Sequence, residues 1–183
     1  AVDITYNKDN PTVGVRSFGT DKETVSQFSA AAVRGFQKGG VAACAKHFPG
    51  LGDTAIDTHL ALATVRTSVE QVVLNDLLPY RATIDNNLAS VMTTHTVFAE
   101  LDEDYPATLS PVVIERLLRN ELHFDGVVTT DCMEMKAIAD NFGSGESAVL
   151  AMLAGVDIVG VAIAGQTGCG NTRVIAQIGK LEI

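Results

Sequence analysis

The sequence predicts an α/β fold built on a parallel sheet. Short runs rich in Val, Ile, Ala and Thr recur along the 183 residues, and each has the composition of a strand buried on both faces. Segments with helical periodicity separate these runs at intervals of roughly 30 to 50 residues, which is the spacing of βαβ units. Because parallel strands need such crossover connections, the alternation predicts a parallel sheet with helices packed against it.

Five runs are predicted as strands, at residues 2–6, 40–46, 88–95, 126–131 and 156–163. The helical segments between them are 21–39, 67–86, 110–124 and 145–155. Ser110 followed by Pro111 predicts a helix start, because proline suits the first helical position. Gly39 and Gly155 fit helix ends, where a residue without a side chain is favoured.

Four chemically active side chains stand at the C-terminal ends of the predicted strands: Lys46, His47, His95 and Asp131. A doubly wound sheet and a (β/α)₈ TIM barrel both fit the alternation, but barrel enzymes gather catalytic groups from several strands at this end. A barrel is therefore favoured. Eight strands and about 250 residues are typical of a barrel, so five strands predict an incomplete one. Residues 1–183 are interpreted as the C-terminal portion of a single barrel domain, with the first three strands missing, removed or supplied by another chain.

Composition excludes several classes of protein. An apolar content of 46% with 19% charged residues argues against disorder. The 13 basic and 22 acidic residues give a net charge of -9, and no basic cluster is dense enough to follow a nucleic acid backbone. No apolar run is long enough for a membrane span. No signal peptide is recognised at the start of the chain, no cofactor is predicted, and the localisation stays unassigned.

The stretch "KHFPGLGDTAIDTH", residues 46–59, combines titratable side chains with residues that break regular structure. Pro49, Gly50 and Gly52 predict a long loop that folds over a site as a lid. Asp57 and His59 are one residue apart, so in an extended segment both side chains point the same way. The carboxylate then orients the imidazole and stabilises its charge, as in a proton-transfer dyad. A solvated surface pair is the alternative interpretation.

Asp131 closes the apolar run "GVVTT". A carboxylate in such a position is costly unless it is paired or used, which favours a catalytic group. The alternative is that Asp131 caps the helix that follows.

Four blocks of the sequence resemble one family. "KHFPGLGDTAIDTH" resembles the signature of the β-N-acetylhexosaminidase branch of glycoside hydrolase family three, in which Lys-His-Phe-Pro-Gly precedes Asp-Ser/Thr-His. "NPTVGVRSFG" is similar to the family's arginine-containing loop, "PATLSP" to the segment before a barrel helix, and "FDGVVTTDCMEM" to its nucleophile strand. The blocks follow one another in the family's order and span nearly the whole chain.

This resemblance implies that Asp131 is the nucleophile, His59 the general acid/base and Asp57 its partner. Arg16, Lys46 and His47 would bind sugar hydroxyls. The implied reaction is retaining hydrolysis of terminal β-linked N-acetylglucosamine from cell-wall fragments, chitin-derived oligosaccharides or similar glycans, without a cofactor. A histidine tolerates an anionic acceptor better than a carboxylate does, so a phosphorolytic variant stays open. The resemblance gives His95 no role.

Two alternatives remain from the residues alone. In a metal-dependent barrel hydrolase, nitrogen and carboxylate ligands from His47, His59, His95 and Asp131 would hold a divalent ion such as zinc. Alternatively, the chain is an inactive barrel fragment or a carbohydrate-binding remnant, whose open sheet would associate with its missing N-terminal part or with another chain.

Overall fold

The computed structural model describes residues 1–162 and 172–177 of the chain. Seven strands form in these residues. They are β1 (Cys44–Phe48), β2 (Ala63–Val65), β3 (Ser90–Thr93), β4 (Thr96–Phe98), β5 (Val127–Cys132), β6 (Ile158–Ala162) and β7 (Thr172–Gln177).

Five of the strands form one sheet in the order β1-β3-β5-β6-β7. The pairs β1–β3, β3–β5 and β5–β6 are parallel, whereas β6 and β7 are antiparallel. Ala45 lies opposite Val91, which in turn lies opposite Val128, and all three side chains are buried. The predicted α/β class and its parallel sheet are therefore confirmed. The sheet forms part of a barrel and is not closed.

Helices connect the strands. They are α1 (Lys22–Lys38), α2 (Val69–Gln71), a π-helical segment (Val72–Asp76), α3 (Leu78–Ile84), a second π-helical segment (Val112–Glu121), α4 (Lys136–Phe142) and α5 (Ser144–Leu153). Ser110 caps the second π-helical segment, because its hydroxyl accepts a hydrogen bond from the Val113 backbone nitrogen at 3.2 Å. Gly39 ends α1, as predicted. Within the described ranges, no helix is long and apolar enough to cross a membrane.

The predicted strand at residues 2–6 is wrong, because this segment is irregular. Its backbone is joined to β1 by one bond, from Val2 N to Lys46 O at 2.8 Å. The Thr5 nitrogen then bonds to Gly19 O in a loop. A strand needs a continuous row of paired backbone groups along one neighbour, and here successive groups pair with different segments.

The other four predicted strands correspond to β1, β3, β5 and β6, with shifted ends. The prediction at 40–46 starts before β1, and that at 88–95 extends beyond β3. Residue 163, the last of the predicted fifth strand, lies outside the described residues. The small parallel pair of β2 with β4 was not predicted, since strands of three residues carry too short a pattern.

Candidate active site

Three neighbouring strands bring polar side chains to one edge of the sheet. Lys46 and His47 lie on β1, His95 follows β3, and Asp131 is near the end of β5. Because β1, β3 and β5 are parallel and adjacent, their carboxyl ends meet at the same edge. His95 also interacts electrostatically with Asp131, His47 and His59. The structure therefore brings the strand-end residues near the loop that carries His59.

Asp3 fixes His47, and sequence reasoning missed it. The Asp3 carboxylate accepts hydrogen bonds from His47 Nδ1 at 2.9 Å, from His47 N at 3.0 Å and from Leu51 N at 2.8 Å. Burial would raise the pKa of Asp3, but the charge and hydrogen bonds of His47, with the Leu51 N–H, outweigh it and lower the pKa. An ionised carboxylate only accepts, so His47 carries a proton on Nδ1 and presents Nε2 to any ligand. An aspartate inside the apolar run "VDI" was the available indication.

The Asp57–His59 pair lies further along the same loop. His59 Nδ1 is 2.7 Å from Asp57 Oδ1, which also accepts the His59 backbone N–H at 2.9 Å. Burial alone would raise the pKa of Asp57, but these bonds and the His59 charge lower it overall. The His59 side chain is 43% exposed and the Asp57 side chain is 26% exposed. Since Asp57 accepts the Nδ1 proton, Nε2 of His59 is the nitrogen that can exchange a proton with a ligand.

Two contacts position this dyad within the fold. The carbonyl of Thr58, between the two dyad residues, accepts a hydrogen bond from Ala137 N at 3.3 Å. Ala137 belongs to α4, the helix that follows Asp131 in sequence. On the other side, Thr12 lies beside the Asp57 carboxylate. The dyad is thus held between the helix after β5 and the loop that carries Arg16.

Arg16 and Lys46 are the two cations predicted to bind the sugar. Arg16 is exposed at the end of a 3₁₀ turn, Gly14–Arg16, and its Nη2 donates to Thr12 O at 2.5 Å. Lys46 is half-buried on β1. Lys46 O accepts a hydrogen bond from Val2 N at 2.8 Å, and Arg16 O lies 3.2 Å from the backbone nitrogen of Ala1. The two residues therefore flank the same short segment.

Asp131 does not cap a helix. The next helix, α4, begins at Lys136 with Met135 as its N-cap residue, and no side chain caps it. Instead, the half-buried carboxylate of Asp131 accepts a hydrogen bond from the Cys132 backbone nitrogen at 2.7 Å. The capping interpretation is therefore wrong, and the strand end holds a carboxylate oriented by the adjacent peptide group.

His95 is buried, and both of its ring nitrogens have partners. Nδ1 is 2.8 Å from the Thr108 hydroxyl and Nε2 is 3.0 Å from the Cys132 carbonyl oxygen. In the part of the chain that the structure describes, no group of three or more His, Cys, Asp or Glu is arranged to hold a metal ion. His95 has no nitrogen left for a metal in this arrangement, so the metal hypothesis lacks one of its four ligands.

A buried carboxyl lies behind the loop. Asp76, at the end of the first π-helical segment, is 9% exposed. Burial raises its pKa to about 7, aided by the charges of Asp53 and Asp3 and opposed by a hydrogen bond from Tyr6. The sequence did not mark Asp76, because it lies within an otherwise helical pattern.

Comparisons with known proteins identify the family of the chain. Residues 1–180 match the glycosyl hydrolase family 3 N-terminal domain. The chain belongs to glycosyl hydrolase family 3. It is 37% identical to a beta-hexosaminidase of Hydrogenovibrio crunogenus over 86% of this chain and 44% of that protein. It is 35% identical to beta-hexosaminidase A of Pseudoalteromonas piscicida over 89% of this chain and 29% of the relative.

Solved structures of family 3 members have the same fold. A glycoside hydrolase family 3 beta-N-acetylglucosaminidase from Paenibacillus sp. str. FPU-7 is similar with a TM-score of 0.85 and 49% identity, over 87% of this chain and 30% of that one. The beta-N-acetylhexosaminidase of Beutenbergia cavernae gives a TM-score of 0.81 with 33% identity, over 90% and 50% of the two chains. The chain thus spans half or less of these family members.

Proposed function

We propose that the polypeptide carrying this chain is a retaining exo-glycosidase that releases terminal β-linked N-acetylglucosamine. The observation that carries the proposal is the 2.7 Å Asp57–His59 pair on a loop bonded to the helix after Asp131. This arrangement provides a proton donor and a carboxylate nucleophile on adjacent segments. Membership of family 3 and likeness to beta-hexosaminidases support the reaction class.

The reaction proceeds by two displacements. Asp131 attacks the anomeric carbon while His59 Nε2 gives its proton to the departing glycosidic oxygen, so the C–O bond to the leaving group breaks as the glycosyl ester forms. His59 then takes a proton from water, and the resulting hydroxide displaces Asp131 from the sugar. Asp57 accepts the hydrogen bond from His59 Nδ1–H in both steps and stabilises the imidazolium.

The sugar is bound by Arg16, Lys46 and His47. The ionised Asp3 fixes the tautomer of His47, so Nε2 faces the ligand in a single orientation. Residues 1–183 form the C-terminal portion of the barrel domain, and the preceding strands complete the pocket along the open edge of β1. The chain spans 29% to 44% of its curated relatives, which leaves room for those strands.

The substrates are N-acetylglucosamine-containing oligosaccharides or glycopeptides, such as cell-wall fragments or chitin-derived oligosaccharides. A second candidate is phosphorolysis, in which phosphate replaces water in the second step. An imidazole carries no negative charge to repel phosphate, unlike a carboxylate. In support, the chain has a TM-score of 0.84 and 27% identity to a beta-glucoside phosphorylase, BglX, over 89% of this chain and 31% of that one.

The test is release of nitrophenol from its β-N-acetylglucosaminide, with the β-glucoside as control, by this chain and by the polypeptide that carries it. Asp131→Asn is expected to lower kcat by about 10³-fold or more, since no carboxylate remains to form the ester. The exposed Asp104 offers the matched control Asp104→Asn, which should retain full activity. Activity in the longer polypeptide alone supports completion of the barrel by preceding strands.

The acid/base role of His59 has a separate test. His59→Ala should slow substrates with poor leaving groups far more than nitrophenyl substrates, because a good leaving group departs without a proton. Equal losses on both substrates would contradict the acid/base role. Adding phosphate and assaying for the sugar 1-phosphate decides between water and phosphate as the acceptor.

A further inference from the structure

His95 is a buried titratable side chain at this edge of the sheet that the proposed reaction does not use. It is 1% exposed, so it lies behind the surface that would meet a sugar. It follows β3 and its ring bridges two other segments: Thr108, in a 3₁₀ turn (Ala107–Leu109), and Cys132, the last residue of β5. The residue before Cys132 is the proposed nucleophile.

The hydrogen-bond partners of His95 indicate which of its ring nitrogens carries the proton. The Cys132 carbonyl only accepts, so Nε2 must carry a proton. Burial lowers the pKa of His95 against the opposing effects of the Asp131 charge and the Cys132 bond, which favours a neutral ring. Nδ1 is then an acceptor, and the Thr108 hydroxyl donates to it.

The threonines supply that donor. Thr108 Oγ1 is 2.9 Å from Thr93 Oγ1, so Thr93 can donate to Thr108 while Thr108 donates to His95. The Thr108 hydroxyl also lies 2.9 Å from the Thr94 carbonyl oxygen, which accepts the Thr108 backbone N–H at 3.1 Å as well, so the single hydroxyl hydrogen is shared between this carbonyl and His95 Nδ1. A network of hydrogen bonds therefore joins Thr93, Thr108 and His95 to the Cys132 carbonyl.

Cys132 is held at both of its backbone polar groups. Its carbonyl accepts from His95 Nε2 at 3.0 Å, and its N–H donates to Asp131 Oδ1 at 2.7 Å. The side chain is buried, and the following nitrogen, Met133 N, bonds to Gly160 O of β6 at 2.9 Å. The direction of the Cys132 N–H, and with it the orientation of the Asp131 carboxylate, depends on these contacts.

We propose that His95 is a positioning residue for Asp131, acting through the Cys132 backbone. Its Nε2–H fixes the Cys132 carbonyl, so the Cys132 N–H holds one oxygen of the Asp131 carboxylate and leaves the other oriented toward the anomeric carbon. This inference rests on the proposed function, in which Asp131 is the nucleophile. A misplaced nucleophile slows attack without weakening sugar binding.

Two amide variants of His95 test the bond to Cys132 directly. In His95→Gln the side-chain amide nitrogen reaches the position of Nε2 and can donate to the Cys132 carbonyl. In His95→Asn the amide reaches only the position of Nδ1, so the Thr108 contact is kept and the Cys132 bond is lost. Both variants introduce the same buried amide group, which makes them a matched pair.

Turnover is measured in the polypeptide that carries the chain, with nitrophenyl β-N-acetylglucosaminide and with N-acetylglucosamine as a competitive inhibitor. His95→Asn is expected to lower kcat by about 10²-fold, with KM and the inhibition constant changed less than about threefold. The kcat of His95→Gln should be at least tenfold higher than that of His95→Asn, because only the glutamine can donate to the Cys132 carbonyl. Thr83→Val removes another buried hydrogen bond, from Thr83 Oγ1 to Tyr80 O at 2.9 Å, remote from this edge, and should leave kcat unchanged.

Equal kcat values for the two amide variants, or a loss confined to KM, would overturn the positioning role. A comparable kcat loss in Thr83→Val would also overturn it, because destabilisation would then explain the effect. Asp131→Asn separates this failure from that of the proposed function. If Asp131→Asn is inactive while the His95 variants are equal, only the positioning role fails. If Asp131→Asn keeps wild-type turnover, the nucleophile assignment fails with it.

Discussion

Asp76 provides a pH-dependent test of the packing behind the proposed catalytic loop. The residue is 9% exposed and packs against Gly50, where an added Cβ would lie 3.5 Å from the Asp76 Cβ. Tyr6 donates a hydrogen bond to it from the segment on the other side of the loop. Burial, with the charges of Asp53 and Asp3, raises the pKa of Asp76 to about 7.

The raised pKa fixes the sign of the effect. An unfolded aspartate releases its proton near pH 4, whereas the folded protein keeps the Asp76 proton until about pH 7. Between these values the folded state binds more protons than the unfolded state, so the free energy of unfolding falls as the pH rises. Each pH unit between the two pKa values costs about 1.4 kcal/mol, so the penalty approaches about 4 kcal/mol once the pH exceeds 7.

Asp76→Asn should remove this penalty. Asparagine has nearly the same shape, still accepts a hydrogen bond from Tyr6 and never ionises. The variant should be more stable than the wild type by up to about 4 kcal/mol at pH 8, and the two should agree within about 1 kcal/mol at pH 4. Urea unfolding followed by circular dichroism at several pH values measures the difference, with the exposed Asp104→Asn as control. A difference that is constant with pH, or that grows toward pH 4, would refute the reasoning.

Two further substitutions test how the loop is held. Gly52→Ala places a Cβ against the Ile4 carbonyl oxygen. The free energy of unfolding should fall by about 1–3 kcal/mol, measured by thermal unfolding. Gly145→Ala is the matched control, because nothing lies within 4 Å of its added Cβ, and it should be neutral or stabilising. Asp3→Asn replaces an ionised acceptor with an amide at His47 Nδ1, and a loss of about 2 kcal/mol would lower kcat/KM for the nitrophenyl substrate roughly thirtyfold. Unchanged kcat/KM would show that the tautomer of His47 does not matter.

Position in the sequence was enough to predict that these polar side chains lie at one edge of the sheet. Lys46, His47 and Asp131 each follow an apolar run, and parallel strands end at one edge of a sheet. Local spacing was enough for the Asp57–His59 pair, because the two residues are close in any extended or turned backbone. Both predictions depend on short-range patterns that survive the details of packing.

Features that depend on distant partners were not predicted. The importance of Asp3 comes from His47 and Leu51, which are 44 and 48 residues away in sequence. Its environment "VDI" has the composition of a strand, and that pattern concealed the role. The single helix predicted at 67–86 is divided by a π-helical segment before α3. Pro79 lies at the start of α3, and could have indicated this break.

The stretch from Lys46 to His59 has two parts with different physical support. The first part is largely buried, and Asp3 and Asn10 hold it, the latter through bonds of 2.7 Å to Leu51 O and 3.0 Å to Thr54 O. Around His59 the second part is largely exposed, and it is joined to other segments by the Ala137 bond and by Thr12 beside the Asp57 carboxylate. Under the proposed roles, the sugar-binding His47 is therefore fixed before the substrate arrives, whereas the proton donor is on a more exposed segment. Binding benefits from such preorganisation, while an acid/base group must serve both a departing alcohol and an arriving water. Separating the two tasks along one loop allows the donor to move without disturbing the sugar contacts.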